Sequence, residues 1–381
     1  MNRKVAIIDP LGAHGSSHHF YLFGQAKGLI ENGVSISLYT NNTTDNLNIP
    51  GVRFFTFYKN IFNSKFKFIS GIKWIIGSIL SIFHARASGA SIFHFHIFYT
   101  NSLVLFNLLL VKLVCGKVVL TTHDVSSFAN LSDSSIIGSM IYKLTDLILT
   151  HNEFSKLEIM KDNPNLSSCI YIVPHGNYIP FINVQHDKEK SRKRLEISND
   201  KKVLLFFGMI KKVKGLDVLL ESFKKVVDKH PNTILLIAGK PWKNDFVVYQ
   251  KIIDKHNLTK NIILHTKFIS HDDVEHYYCV SDLVVLPYKR IYQSGVLMMT
   301  LSYERPALVS DLPPLKEVLI DNENGFLFKS EDINHLAERL DFILSNPETL
   351  ERVRKNGSLL VNTKFGWDEI GRLTLNAYKN L

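Results

Sequence analysis

Two lysines and one small-residue turn in the second half of the sequence have the chemistry of an anion site. Lys211 and Lys214 lie in the segment KKVKG, after a predicted buried strand and a bend at Gly208. Lysines between a strand end and a helix start suit a pyrophosphate, although a solvated basic loop has the same composition. The turn opens a predicted helix, whose free N–H groups and positive dipole end attract phosphate. Its residues are Gln293, Ser294, Gly295 and Val296.

The elements around these residues predict a parallel sheet. A strand at Leu283–Leu286, the turn, a helix and a second strand at Pro306–Ser310 form a βαβ unit. The lysines follow another strand, Val203–Phe207, and precede a helix over Leu216–His230. Ligands bind at the carboxyl ends of the strands in such sheets. Two anion sites in the same half of the chain therefore favour a diphosphate held between two loops.

The first half of the chain begins with a strand and a glycine-containing loop. Lys4–Ile8 is continuously apolar, and the loop after it contains Gly12, His14 and Gly15. The glycine spacing differs from the dinucleotide fingerprint G-x-G-x-x-G, and the pattern G-x-x-x-x-G-K-[ST] does not occur in the sequence. A nicotinamide-dependent enzyme and a P-loop kinase are therefore disfavoured.

Strands and helices alternate along the whole sequence, and the alternation is interrupted once. Residues 180–200 are polar and charged, and we interpret them as a linker between domains. A chain of 381 residues is long for a single core and suits two domains. The predicted fold class is α/β, with two doubly wound domains in tandem.

Several segments carry a resemblance to a known family. In the second half they read FFGMIKKVKGLDVLLESF, ILLIAGKP and DLVVLPYKRIYQSGVLMMTLSYERPALVSDLPPLKEVLIDNENGFLF. In the first half VVLTTHDV, DLILTHNEFSK and VPHGNY agree with it, as does the C-terminal Phe365-Gly366-Trp367. Over nearly its whole length the chain resembles retaining family 4 glycosyltransferases. The resemblance implies the GT-B fold, in which two Rossmann-like domains face each other across a cleft.

The resemblance also implies a division of labour between the domains. Residues 1–180, completed by a crossover helix at 366–381, would bind the acceptor, and residues 181–365 would bind the nucleotide sugar. The implied enzyme is a hexosyltransferase that moves a sugar from a nucleoside-diphosphate sugar to a glycan or polyprenyl-linked glycan with retention. Bacterial surface polysaccharide synthesis is the expected setting. Because no D-x-D motif lies at a strand end, neither a metal ion nor a further cofactor is expected.

The family's functional residues carry over to matching positions. Lys214 matches the lysine that neutralises the donor diphosphate, and Lys211 stands for its basic companion. His123, after the predicted strand Lys117–Thr122, matches the histidine near the transferred sugar, and Asp124 would orient it or hold its loop. In isolation a histidine after a strand is more often structural, but the position of His123 at a strand's carboxyl end in the first domain reverses that expectation. His175 is expected at the domain junction, and we interpret it as structural or hinge-related. Predicted donor contacts include Gly12, Gly15, Gly208, Gln293, Ser294, Gly295, Val296 and Glu317, and predicted acceptor contacts are His14, His123 and Asp124.

One motif of the family is absent. Many members carry Glu-x7-Glu on this turn and helix, and the corresponding positions here are Ile291 and Met299. The second glutamate usually holds the donor ribose, so that contact must come from elsewhere. The pattern fits a branch with Gln-Ser-Gly-Val in place of the first part. It also suits a catalytically silent partner subunit, and a nucleotide-sugar epimerase of the same fold is the third alternative.

Basic charge is concentrated near the N-terminus. The net charge is +10 at pH 7, and residues 1–120 hold eleven Lys and Arg against three Asp and Glu. Residues 64–86 mix lysines with aromatic and aliphatic side chains, which predicts a helix at a membrane interface or, alternatively, a helix packed on the sheet with a solvated lysine edge. No motif typical of nucleic-acid binding occurs.

The expected location is the cytoplasm, with residues 64–86 at the inner face of the membrane. The N-terminus reads as a strand rather than a signal peptide. No run reaches the roughly 18 apolar residues that would span a bilayer. The three cysteines are widely separated and form no paired motif.

Overall fold

The chain folds as two structural units. The computed structural model describes residues 4–14, 18–63, 66–125, 135–183 and 187–381. Met1–Gly176 together with Phe365–Leu381 forms the first unit, and Asn177–Lys364 forms the second. The sequence placed the corresponding boundaries after residues 180 and 365.

Two parallel sheets form the centres of the two domains. In the first the spatial order is β3-β2-β1-β4-β5-β6-β7, and in the second it is β10-β9-β8-β11-β12-β13. Most strands read as continuous apolar runs because helices cover both faces of such sheets. The strands are β1 (Lys4–Ile8), β2 (Ser35–Asn41), β3 (Arg53–Tyr58), β4 (Ile92–Ile97), β5 (Lys117–Thr122), β6 (Leu147–Thr150), β7 (Ile170–Ile172), β8 (Lys202–Phe207), β9 (Thr233–Ala238), β10 (Ile262–His265), β11 (Leu283–Leu286), β12 (Ala307–Ser310) and β13 (Phe326–Phe328).

Helices connect the strands, and short 3-10 turns lie at Pro164–Cys169, Ile179–Phe181, Lys212–Lys214, Trp242–Asn244 and Thr259–Asn261. The helices are α1 (His18–Glu31), α2 (Lys67–Ala87), α3 (Ser102–Leu113), α4 (Ser135–Leu144), α5 (Glu153–Asp162), α6 (Lys188–Arg194), α7 (Leu216–Lys229), α8 (Val247–Lys255), α9 (His271–Val280), α10 (Gly295–Ser302), α11 (Pro313–Lys316), α12 (Ile333–Ser345), α13 (Pro347–Lys364) and α14 (Trp367–Tyr378). The last of them returns to the first domain and packs along α1.

The region interpreted as a linker is partly helical, so that prediction was wrong. Asp187 caps α6 by accepting hydrogen bonds from the N–H groups of Glu189 and Lys190. Arg192 on this helix is buried and donates to the carbonyl oxygens of Ser198 and Lys201. A polar composition therefore hid a helix that is bound to the second domain by its own charged side chains.

Helix α2 also departs from expectation. By length and composition it could cross a membrane, whereas the sequence predicted no such segment. Lys73 and His84 interrupt the apolar runs without making the helix polar on average. One face of α2 packs on the sheet, because Gly77 lies against the ring of Tyr58 and the Tyr58 hydroxyl is 3.2 Å from Ser78 Oγ.

Each sheet reverses its strand order at one place. In the first domain the reversal lies between β1 and β4, and in the second it lies between β8 and β11. Loops that leave neighbouring strands in opposite directions open a crevice at the carboxyl edge, where ligands of doubly wound sheets bind. The predicted site residues in the loops after β1, β8 and β11 lie at these two reversals.

Candidate functional site

Close backbone packing shapes the loop after β8 in the second domain. Gly208 has φ of +105°, and a Cβ there would lie 3.5 Å from Cγ2 of Val296 on α10. Gly215 has φ of +68°, and its Cβ would lie 1.7 Å from the carbonyl oxygen of Pro287. The N–H of Lys289 donates to the carbonyl of Val213 at 2.9 Å. The loop with the lysines is therefore fixed against the exit of β11.

The two lysines point over aromatic rings. The amine of Lys214 lies 3.9 Å from the ring centre of buried Tyr288, and that of Lys211 lies 4.5 Å from the ring of Trp242. A ring face attracts a cation without neutralising it. Within the described part of the chain, no carboxylate lies within ion-pair distance of Lys214, whereas nearby Lys289 pairs with Asp217 at 2.6 Å. The charge of Lys214 thus remains available to an anion.

The start of α10 lies beside this loop and offers backbone donors. Ser294 caps the helix, since its Oγ accepts a hydrogen bond from the N–H of Leu297 at 3.1 Å. The first N–H groups of the helix, at Gly295 and Val296, have no acceptor within the helix. The Oε1 atom of Gln293 is buried and has no hydrogen-bond partner among the described residues. This arrangement of a fixed cation and backbone N–H groups suits a phosphate, whereas the Gln293 oxygen can only accept a hydrogen bond.

The positions of the missing glutamates are filled by core side chains. Ile291 and Met299 are buried, with 8% and 6% of their surfaces exposed. A carboxylate at either position would need a partner in an apolar environment. Glu317, the remaining predicted polar donor contact, is exposed at the end of α11.

In the first domain, the loop after β1 is closed by Asp9. Its Oδ2 accepts a hydrogen bond from the N–H of Gly12 at 2.7 Å. Gly12 has φ of +50°, and a Cβ there would lie 2.0 Å from Oγ1 of Thr44, so only glycine fits. Burial raises the pKa of Asp9 to about 7, against the opposing effect of the Gly12 N–H. His14 is exposed and stacks on Phe62, and Gly15 lies outside the described residues.

His123 is not isolated but belongs to a chain of histidines. Its Nε2 lies 3.1 Å from Nδ1 of His96, and its Nδ1 lies 3.1 Å from Nε2 of His151. The Nδ1 of His151 donates to the carbonyl oxygen of Val173 at 3.0 Å. Burial lowers the pKa of His123 well below its ordinary value, and the neighbouring histidines lower it further. The imidazole is therefore neutral, and both of its nitrogens face other histidines. Asp124 follows it and is half-buried.

The sequence singled out one member of this group, but the sheet brings several together. His96, His123, His151 and His175 come from the ends of β4, β5, β6 and β7, which are consecutive in the sheet. Burial lowers the pKa of His151 to about 4 and that of His175 to about 3. A recurring histidine at the end of each strand was the signal that could have revealed the histidine edge, by which we mean these four residues.

The second domain matches a known family model. Residues 187–359 match the family described as Glycosyl transferases group 1. The spore coat protein SA of Bacillus subtilis is 25% identical over 276 residues, which cover 68% of this chain and 72% of that protein. The capsular polysaccharide biosynthesis glycosyltransferase CapM of Staphylococcus aureus is 26% identical over 237 residues, 59% of this chain and 60% of CapM.

A third relative is similar in sequence, and two solved structures are similar in fold. The lipopolysaccharide 1,2-N-acetylglucosaminetransferase of Salmonella typhimurium is 23% identical over 221 residues, 56% of this chain and 57% of that enzyme. Anabaena HepE, solved in complex with UDP and glucose, aligns with a TM-score of 0.77 at 13% identity and covers 100% of both chains. A glycosyltransferase from Rickettsia africae aligns with a TM-score of 0.76 at 17% identity over 99% of this chain and 98% of its own.

The structural and the sequence comparisons support different conclusions. The structural likeness confirms the predicted fold of two Rossmann-like α/β domains, which is the GT-B fold of glycosyltransferases. The matched segments of CapM and the Salmonella enzyme span less than two thirds of those proteins. The match therefore does not assign the substrates of those proteins to this chain. The sequence predicted a resemblance to retaining family 4 glycosyltransferases; the comparisons support the coarser resemblance to group 1 glycosyltransferases, and the chain has the fold of these enzymes.

Proposed function

We propose that this protein transfers a hexose from a nucleoside-diphosphate sugar to a glycan or polyprenyl-linked glycan, with retention of configuration, in bacterial surface polysaccharide synthesis. The observation that carries the proposal is the unneutralised amine of Lys214 beside the free N–H groups that open α10. The names of CapM and of the Salmonella relative support the polysaccharide setting. The UDP and glucose complex of HepE supports the donor class.

The proposed catalysis is electrostatic. When the sugar leaves, negative charge develops on the nucleoside diphosphate, and Lys214, Lys211 and the amides of Gly295 and Val296 would stabilise it. Donors that are fixed in advance need little reorganisation as the charge develops, and one such donor contributes roughly 10²–10³-fold in rate. We propose that these groups replace a metal ion at the diphosphate. The role of His123 near the transferred sugar stays a prediction.

The test is sugar transfer from a panel of labelled UDP-, GDP- and ADP-sugars to a polyprenyl-linked acceptor. Lys214→Ala should reduce turnover by about 100-fold or more, because it removes a charge that acts on the leaving group. Lys212→Ala is the matched control, since Lys212 is exposed in the same short turn and should matter little. Near-normal turnover in Lys214→Ala would contradict the proposal.

The catalytically silent partner subunit remains the second candidate. The observation that favours it is the burial of Ile291 and Met299 where many relatives carry glutamates. A silent partner would bind the nucleoside diphosphate through Lys214 and show no transfer from any donor. Measuring binding and turnover on the same preparation separates the two functions.

We also propose that the first domain contacts an anionic membrane surface. Exposed apolar side chains continue from α2 to α3 and α4, among them Phe68 (77% exposed), Leu113 (71%) and Ile136 (72%). These helices pack side by side, α3 against both α2 and α4. Lys67 and Lys143 are exposed on the same helices. Apolar side chains among lysines are typical of a helix that lies in a membrane interface.

Sedimentation with vesicles tests this contact. The double variant Phe68→Ser with Leu113→Ser should lose binding to vesicles rich in phosphatidylglycerol. Leu359→Ser is the control, because Leu359 is 63% exposed on α13 of the second domain. Trp74 is unsuitable as a target, since it packs against the core of the first domain. Unchanged sedimentation of the double variant would refute the membrane contact.

A further inference from the structure

Three buried histidines of the first domain converge from separate elements. His18 begins α1, His96 lies on β4 and His123 follows β5. One ring nitrogen from each lies within 4.8 Å of the other two. We propose that these histidines bind a divalent cation of the Zn²⁺ class. The proposal goes beyond the proposed transfer, because none of the lysines and amides of the second domain takes part in it.

The hydrogen bonds around His123 leave a lone pair directed at His96. The carbonyl oxygen of Val173 can only accept, so Nδ1 of His151 carries the hydrogen. In a neutral imidazole the other nitrogen then accepts, and Nε2 of His151 receives the hydrogen bond of His123 Nδ1–H at 3.1 Å. The remaining nitrogen of His123, Nε2, therefore has no hydrogen and faces Nδ1 of His96.

The same reasoning applies to His96 from its other side. Its Nε2 lies 3.0 Å from Oε1 of Gln25, which is an acceptor, so Nε2 carries the hydrogen. Nδ1 of His96 is then also without a hydrogen. Two lone pairs face each other across 3.1 Å, an arrangement that a cation between them would stabilise. Two nitrogens on a tetrahedral zinc ion lie about 3.3–3.4 Å apart, given Zn–N distances of about 2.0–2.1 Å.

The surroundings of the three histidines resemble the outer shell of a metal site. Ligating histidines usually donate their second N–H to a carbonyl or carboxylate oxygen or another fixed acceptor, as His96 does to Gln25 and His123 to His151. The carboxylate of Asp9 lies 3.7 Å from Nε2 of His18 and would balance part of the cation's charge. Three protein ligands leave a fourth position for water or another small ligand.

An alternative exists for the same atoms. If the side-chain amide of Gln25 is reversed, its NH₂ group donates to His96, and all the hydrogen bonds run in one direction to Val173 without an ion. Amide orientation is assigned from the network, so the two arrangements must be separated by metal binding. Under the metal-site proposal, Nε2 of His123 contacts the cation, and only its backbone and Asp124 remain for a sugar.

The test uses the full chain, stripped with a chelator and titrated with Co²⁺, whose visible absorption bands report tetrahedral coordination. One equivalent should bind, Zn²⁺ should displace it, and His96→Ala and His123→Ala should each weaken binding by at least about 100-fold. His175→Gln is the control, because His175 is buried near His151 but is not one of the three proposed ligands. The spectrum of the unmodified protein supports or refutes the site even if a variant fails to fold. Absence of the bands, or unchanged binding in His96→Ala, overturns the proposal.

Discussion

The carboxyl edges of the two sheets share a topology and differ in chemistry. In the first domain, a histidine lies at or shortly after the carboxyl end of each of four consecutive strands, and burial lowers the pKa values of these histidines so that the rings are neutral. In the second domain, Lys211 and Lys214 place fixed positive charges over aromatic rings beside a helix start. Both edges lie at a reversal of strand order. Topology therefore decides where a ligand can bind, and the loop residues decide the charge of the binding site.

The largest expected effect on stability comes from a substitution in the backbone of the loop after β8, which carries Lys211 and Lys214. Gly215→Ala would place a Cβ 1.7 Å from the carbonyl oxygen of Pro287 at φ of +68°. We expect a loss of about 2–4 kcal/mol in the free energy of unfolding, from the clash and the left-handed backbone together. Urea unfolding followed by circular dichroism measures it.

Gly33→Ala is the matched control in the first domain. Gly33 has φ of +79°, but among the described residues no atom beyond its two chain neighbours lies within 4 Å of the position of its Cβ. Only the left-handed conformation is penalised there, at about 1–2 kcal/mol. If Gly215→Ala and Gly33→Ala cost the same, the close packing of the lysine loop on β11 is not important for stability.

The stability that the histidine edge contributes to the fold should fall at acidic pH. Burial, and to a lesser extent His151, lower the pKa of His175 to about 3, and its ring faces Tyr21 as well as His151 and is influenced by His18. Because the folded pKa lies below the ordinary value of 6.5, the unfolded chain binds more protons between the two values. Stability is therefore complete above pH 6.5 and falls below it, by at most about 1.4 kcal/mol per pH unit for one histidine.

The variant His175→Gln isolates this contribution. Its free energy of unfolding should fall less steeply between pH 6.5 and 4.5 than that of the unmodified protein, as measured by urea unfolding at each pH. Parallel curves for the two proteins would show that His175 is not held neutral by the fold.

The smallest effect is expected at the helix caps. Ser294→Ala removes the acceptor for the N–H of Leu297, and Asn101→Ala removes the acceptor for the N–H of Val104 at the start of α3. Each should cost about 1 kcal/mol in the free energy of unfolding. Only Ser294→Ala should also weaken diphosphate binding, as measured by calorimetry. Equal diphosphate affinity in both variants would argue against binding at the start of α10.

Strong apolar runs made much of the fold predictable. Strands β1, β5 and β11 were predicted with their observed bounds, because parallel strands covered on both faces are mostly apolar. β3 was missed; it begins with the exposed, charged Arg53, and four of its six residues are only half-buried. Helix α6 was missed because its stabilising contacts are made by charged side chains, which the hydrophobic pattern does not show.

The parts of the candidate site that are formed by one continuous loop could be predicted from the sequence. The lysine segment and the turn at 293–296 could be recognised because each is local in sequence. The histidine edge was not recognised beyond His123, because His96 and His151 are far apart along the chain and meet only through the pairing of β4 and β6 with β5. The neutrality of these rings depends on burial, which only the folded structure gives.

Thermal stability in the presence of UDP, GDP, ADP and CMP tests the central claim most directly. A ligand at about 100 times its dissociation constant adds roughly 2.7 kcal/mol of stability, enough for a clear shift in Tm. One diphosphate should stabilise the unmodified protein and Lys212→Ala, and should fail to stabilise Lys214→Ala. An equal shift in all three proteins, or no shift with any nucleotide, would contradict the assignment of the second-domain edge as the diphosphate site.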